Sequence, residues 1–99
     1  IDAGILVNMS EANINELIKS LKEKEFTNVR KWIVNNLDND PVRIFRRVYD
    51  SLYDHLDGST IPHAVVIIAE YQHKAAFVSD HEINLLACMT ELMGQVKFK

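Results

Sequence analysis

The sequence predicts an all-α fold, a bundle of five helices, and three observations carry that expectation. Apolar residues recur at helical spacing in five successive segments. Hydroxyl or acidic residues stand ahead of most of these segments, where a helix start needs a cap. With only three glycines and two prolines in 99 residues, the chain has few of the turn formers that an all-β design with many tight connections requires. A chain of this length fits one domain with one core, and no repeat, low-complexity tract or internal linker divides it.

Residues 1–9 are mostly apolar, with Gly4 among them, and read as a linker or short helical lead-in. Ser10 offers an N-cap for the first helix, Glu11 suits the positive end of its dipole, and Ile14, Leu17, Ile18 and Leu21 form its inward stripe. Lys19, Lys22 and Lys24 fall at its C-terminal end, where cations belong. The second helix is expected over residues 27–37, with Val29, Ile33 and Leu37 inward and Trp32 beside them. Asp40 followed by Pro41 is a cap followed by a first-turn proline, and Phe45, Val48, Tyr49, Leu52 and Leu56 continue the stripe of a third helix that ends at Asp57-Gly58.

Ser59 or Thr60, with Pro62, starts the fourth helix, which is expected to run to about residue 77. Residues 65–68 alone would also suit a strand; the nearby proline and the Ala-Glu-Tyr-Gln continuation favour a helix. Ser79 and Glu82 have the spacing of a capping box ahead of the fifth helix, which carries Ile83, Leu86, Ala87, Thr90 and Met93.

Composition narrows the function. A net charge of -3 argues against a free-standing nucleic-acid binder, since phosphate binding shows as a basic domain. The single Cys88 has no partner for an internal disulfide and is expected to be a reduced, buried thiol in a cytoplasmic protein. No apolar run approaches the roughly 20 residues that span a bilayer, and no basic start followed by an apolar block marks a signal peptide. The first residue is Ile1, so the chain is expected to be a fragment or processed product, with part of its function in residues outside it.

No catalytic or metal constellation stands out. His55, His63, His73 and His81 fall at helix ends or turns, and none forms a His-x-x-x-His pair. Glu70 and His73 make one Glu-x-x-His, whereas a di-iron bundle needs two such motifs and two further carboxylates. One cysteine gives no zinc framework, no Gly-x-Ser-x-Gly elbow is present, and the isolated Gly4, Gly58 and Gly94 make no phosphate-binding loop. No cofactor or metal is therefore expected in this chain, and it is not expected to be an enzyme.

Two features point instead to an interaction surface. The third helix carries Arg43, Arg46 and Arg47 in its N-terminal half and Asp50, Asp54 and Asp57 in its C-terminal half, both opposed to its dipole. A solvated face is the plain reading of that pattern; the sharper one is a polarised surface meeting complementary charge on a neighbour. The fourth and fifth helices are also apolar on more than one side. Besides Ile83, Leu86, Ala87 and Met93, the fifth helix has a second stripe of Leu85, Cys88, Met89, Leu92 and Val96, and the fourth has five consecutive apolar residues from Val65 to Ala69. Two such helices exceed what a core of this size absorbs, which favours a subunit interface.

Asp2-Ala3-Gly4-Ile5-Leu6, Ala69-Glu70-Tyr71-Gln72-His73 and Glu82-Ile83-Asn84-Leu85-Leu86-Ala87 together resemble the C-terminal collar domain of clamp-loader small subunits of the replication factor C type, most closely those of T-even-like bacteriophages. The likeness covers the first six residues or so and the last third of the chain; the middle matches in helix number and pattern. These are packing signatures and not catalytic motifs. The resemblance implies an oligomerisation domain whose parent carries an AAA+ ATPase module, with ATP and magnesium bound in that module. The collar would hold a five-subunit ring that loads the sliding clamp onto primer-template DNA in DNA replication, in the cytoplasm of an infected host cell. Many members have an arginine soon after the Ala-Glu-Tyr, where this chain has His73 and Lys74, and that contact differs here.

On this basis the expected partners are other clamp-loader subunits directly, and the sliding clamp and DNA through modules outside this chain, with no membrane. Leu85, Met89 and Leu92 are the expected packing residues of a subunit interface, and Arg43, Arg46 and Arg47 its polar contacts. The alternative is an independent helical adaptor that takes a partner helix in a groove.

Overall fold

Five helices follow one another in the computed structural model, which describes residues 11–99: α1 (Glu11–Lys22), α2 (Phe26–Asn35), α3 (Pro41–His55), α4 (Ile61–Lys74) and α5 (His81–Gln95). One 3₁₀ turn, Gly58–Thr60, leads into α4. The lead-in expected over residues 1–9 and the Ser10 cap lie outside the described residues. The fold is all-α: α5 packs on α4, α2 and α1, while α1 also covers α2 and α3, and α4 closes against α3.

α1 buries Ile14, Leu17, Ile18 and Leu21, as its periodicity predicts. It ends in a Schellman motif: Glu25 N–H donates to Ser20 O at 2.9 Å and Lys24 N–H to Leu21 O at 3.1 Å. That geometry puts Lys24 in the left-handed region, at φ 56, a conformation usually given to glycine. α2 begins one residue earlier and ends two residues earlier than the spacing suggests. Leu37 therefore falls beyond the helix and is 38% exposed, while Val29, Ile33 and Trp32 are buried.

α3 is capped as expected, Asp40 accepting from Val42 N–H at 3.0 Å with Pro41 in the first turn. It buries Ile44 along with Phe45, Val48 and Leu52. Ile44 extends the apolar stripe sideways because α3 is covered on two flanks, by α1 and α4.

The start of α4 differs from the expectation. Thr60 occupies the cap position without capping; its hydroxyl donates to Asp57 O at 2.9 Å and accepts from Lys97 N–H at 3.2 Å. Asp57 turns the chain instead, accepting from Ser59 N–H at 3.1 Å, and these bonds to Ser59 hold its carboxyl below the ordinary range. The C-terminal tail is fastened at the same place: Asp57 N–H donates to Lys97 O, Lys99 N–H donates to His55 O, and Leu56 pairs with Phe98 in an antiparallel bridge. α4 ends at Lys74, and a tighter turn carries the chain to Phe77.

α5 is capped by Asp80, whose side chain accepts from Ile83 N–H at 3.2 Å. The cap therefore falls one residue later than the capping box expected from Ser79 and Glu82, and Glu82 pairs with Arg30 of α2 at 3.4 Å. The second stripe of α5 is the core: Leu85, Cys88, Met89 and Leu92 are all 0% exposed. Burial drives the Cys88 thiol up to about 12.

Candidate assembly surface

Because α5 advances about 100° per residue, placing Leu85, Cys88, Met89 and Leu92 inward turns Ile83, Ala87 and Thr90 outward. Ile83 is 65% exposed. α2 lies along one side of this face, its first residue Phe26 48% exposed, held near α5 by the Arg30–Glu82 pair. Phe26, Ile83, Leu86, Ala87, Thr90 and Glu91 line a shallow groove of about 450 Å³, apolar except at its Glu91 edge. The Thr90 hydroxyl adds little polarity, since it donates back to Leu86 O at 2.8 Å.

The Glu91 edge of the groove is tied to α4. Tyr71 Oη donates to Glu91 Oε1 at 2.7 Å, and Asn84 Nδ2 donates to Tyr71 O at 3.2 Å. The hydrogen bond to Glu91, with burial and nearby negative charge, lifts the Tyr71 phenol to about 12. Lys74 sits 4.9 Å from the Tyr71 ring centroid and 3.4 Å from Glu70.

α4 contributes a second exposed apolar face. Its run of five apolar residues divides by helical phase: Ile67 and Ile68 are buried, whereas Val66 is 66% exposed and Val65 lies at the edge of a small groove toward α3. Phe77, just beyond the helix, is 75% exposed, with its ring tilted against His73, centroids 5.3 Å apart.

Three of the expected interface residues are placed elsewhere. Leu85, Met89 and Leu92 are fully enclosed by their own chain, so a neighbour packing on α5 meets Ile83, Leu86 and Ala87 instead. Both stripes of α5 are apolar, and spacing alone does not say which turns inward. Phe26 was outside the expected helix altogether; its position two residues after the lysine-rich end of α1, before the apolar spacing of Val29 and Ile33, is the signal that could have placed it.

Arg43 and Arg46 do lie on the exposed face of α3, with Arg47 partly covered. Arg46 pairs with Asp50 at 3.1 Å and lies 5.5 Å from the Tyr49 ring centroid; Arg43 and Arg47 each engage other groups of the chain.

The histidines fall at the last turn of α3, the first and last turns of α4 and the start of α5. Among the described residues no group of three His, Cys, Asp or Glu side chains could hold a metal ion, and no helix is long and apolar enough to cross a membrane. A polar hollow of about 560 Å³ between α1 and α2 is a structural seam: Trp32 Nε1 donates to Asn13 O at 2.8 Å, Asn13 Nδ2 donates to Asn36 Oδ1 at 2.9 Å, and Asn36 Nδ2 donates to Trp32 O at 2.7 Å. The chain matches no protein-family model and no curated protein.

Proposed function

We propose that this chain is an oligomerisation domain of the clamp-loader collar kind, holding subunits together through the face centred on Ile83. The observation that carries the reading is the apolar groove between α2 and α5, in which a large aliphatic side chain stands 65% exposed. Exposed apolar surface of this sort, walled by ordered helices, is the usual mark of an interaction site. In the collar reading the neighbours are other clamp-loader subunits, and the sliding clamp, primer-template DNA, ATP and magnesium are engaged by modules outside this chain. The assembly works in the cytoplasm in DNA replication. The all-α fold and the two separate apolar faces, on α5 and α4, suit a ring, since a ring member needs one surface for each neighbour.

Sedimentation velocity over a wide concentration range tests this. Species larger than a dimer, growing with concentration, are expected. A monomer at every concentration that binds an amphipathic helix in the same groove would replace the collar with a helical adaptor.

A further inference from the structure

We propose that α3 docks antiparallel against α3 of a second copy of this chain, through the charged row Arg43, Arg47, Asp50 and Asp54. The four residues are spaced 4, 3 and 4 apart, the spacing that keeps side chains on one seam of a helix pair. They lie away from the buried side formed by Ile44, Phe45, Val48 and Leu52. The order of charges, two positive and then two negative, is self-complementary in one orientation only. A two-fold axis passing between residues 48 and 49 of two antiparallel helices sets Arg43 opposite Asp54 of the other copy and Arg47 opposite Asp50, and each pair occurs twice. A parallel pairing would set like charges together, which is unfavourable.

The placement of the charges supports the same arrangement. Within its own helix each block sits at the wrong end of the dipole. In an antiparallel pair the N-terminal arginines face the negative end of the other helix, and the C-terminal aspartates face its positive end. The flank of the seam is matched as well: Val42 is 46% and Tyr53 56% exposed, and the same symmetry brings Val42 of each copy beside Tyr53 of the other. The row borders a hollow of about 280 Å³ lined by Ile14, Arg47, Asp50, Ser51 and Asp54, which gives long side chains room to reorient.

The contact that Asp50 makes within the chain is open to exchange. Asp50 is held by Arg46, but both side chains are half or more exposed, and solvated pairs of this kind are held weakly. Arg43 and Arg47 each have a contact within the chain, which the pairing would exchange for the facing carboxylate. A surface of one helix makes a small, wet interface, so the dimer is transient and salt-sensitive. It uses a helix that does not form the groove around Ile83, and it stands without the collar reading.

The test uses the full chain carrying Ile83→Asp, so that association through the apolar groove does not contribute. Sedimentation equilibrium should show a dimer whose dissociation constant rises about tenfold or more between low and high salt. R43D/R47D and D50R/D54R, each checked for helical content by circular dichroism, should be monomers. A one-to-one mixture of the two should form a heterodimer, and the quadruple charge-swapped variant should dimerise like its parent. Unchanged self-association of a folded R43D/R47D variant, or no association in the mixture of folded variants, overturns the proposal.

Discussion

Lys24 shows how a single residue departs from what its neighbours require. The Schellman bonds from Lys24 and Glu25 force φ 56 on a residue with a Cβ, and a left-handed conformation costs roughly 1 to 2 kcal/mol for an L-residue other than glycine. Lys24→Gly should therefore stabilise the fold by about 0.5 to 1 kcal/mol, part of the gain being offset by the entropy of the unfolded glycine; thermal denaturation reads it directly. The three lysines at the end of α1 were legible from charge alone, but the left-handed position was not, because it depends on hydrogen bonds reaching back into the helix. Cys88 was legible: one cysteine in an apolar helix is buried, and its thiol is raised to about 12. A thiol reagent should leave it unmodified in the native protein at neutral pH and label it on unfolding. Fast native-state labelling would show that this part of the core opens.

At the scale of elements, α5 separates what spacing reveals from what it leaves open. Its existence and length follow from periodicity, yet its N-cap is Asp80 and not Ser79. Both residues are good caps, and only the path of the turn from Phe77 decides between them. Asp80→Ala should cost about 1 kcal/mol, whereas Ser79→Ala should leave stability within about 0.5 kcal/mol; equal losses in denaturant titrations would return the cap to Ser79. The α4–α5 seam carries a pH signature. The Glu91 carboxylate and burial push the Tyr71 phenol from 10.0 in a free side chain up to about 12, so the folded protein holds the phenol proton more tightly than the unfolded chain. Its contribution is fully present below pH 10 and is lost as the pH rises through 12. Tyr71→Phe should remove that part of the alkaline decline, seen by comparing melting temperatures across this range.

For the whole molecule, the five helices of the described residues and most core positions on α1 and α3 were readable because α1 and α3 each have one apolar stripe and one solvated side. The outward face of α5 was not, for the opposite reason. α5 is apolar on more than one side, and which stripe turns inward depends on where α1, α2 and α4 lie against it. Once those neighbours are placed, Leu85, Met89 and Leu92 belong to the core, and Ile83 remains outside with Phe26 beside it. Truncating the two kinds of residue should differ accordingly: Leu85→Ala should cost about 2 to 5 kcal/mol through the cavity it leaves, while Ile83→Ala should change monomer stability by no more than about 0.5 kcal/mol.

The most direct measurement is the mass of the assembly by light scattering, across a wide concentration range, for the unmodified chain and for Ile83→Asp. Ile83 sits in the first turn of α5, where a carboxylate suits the dipole, so the substitution should leave the fold and its melting temperature intact. An oligomer for the unmodified chain, reduced by Ile83→Asp with no loss of helix, is the result expected if this face holds subunits together. An oligomer of the same mass and concentration dependence in a folded Ile83→Asp variant would contradict that claim.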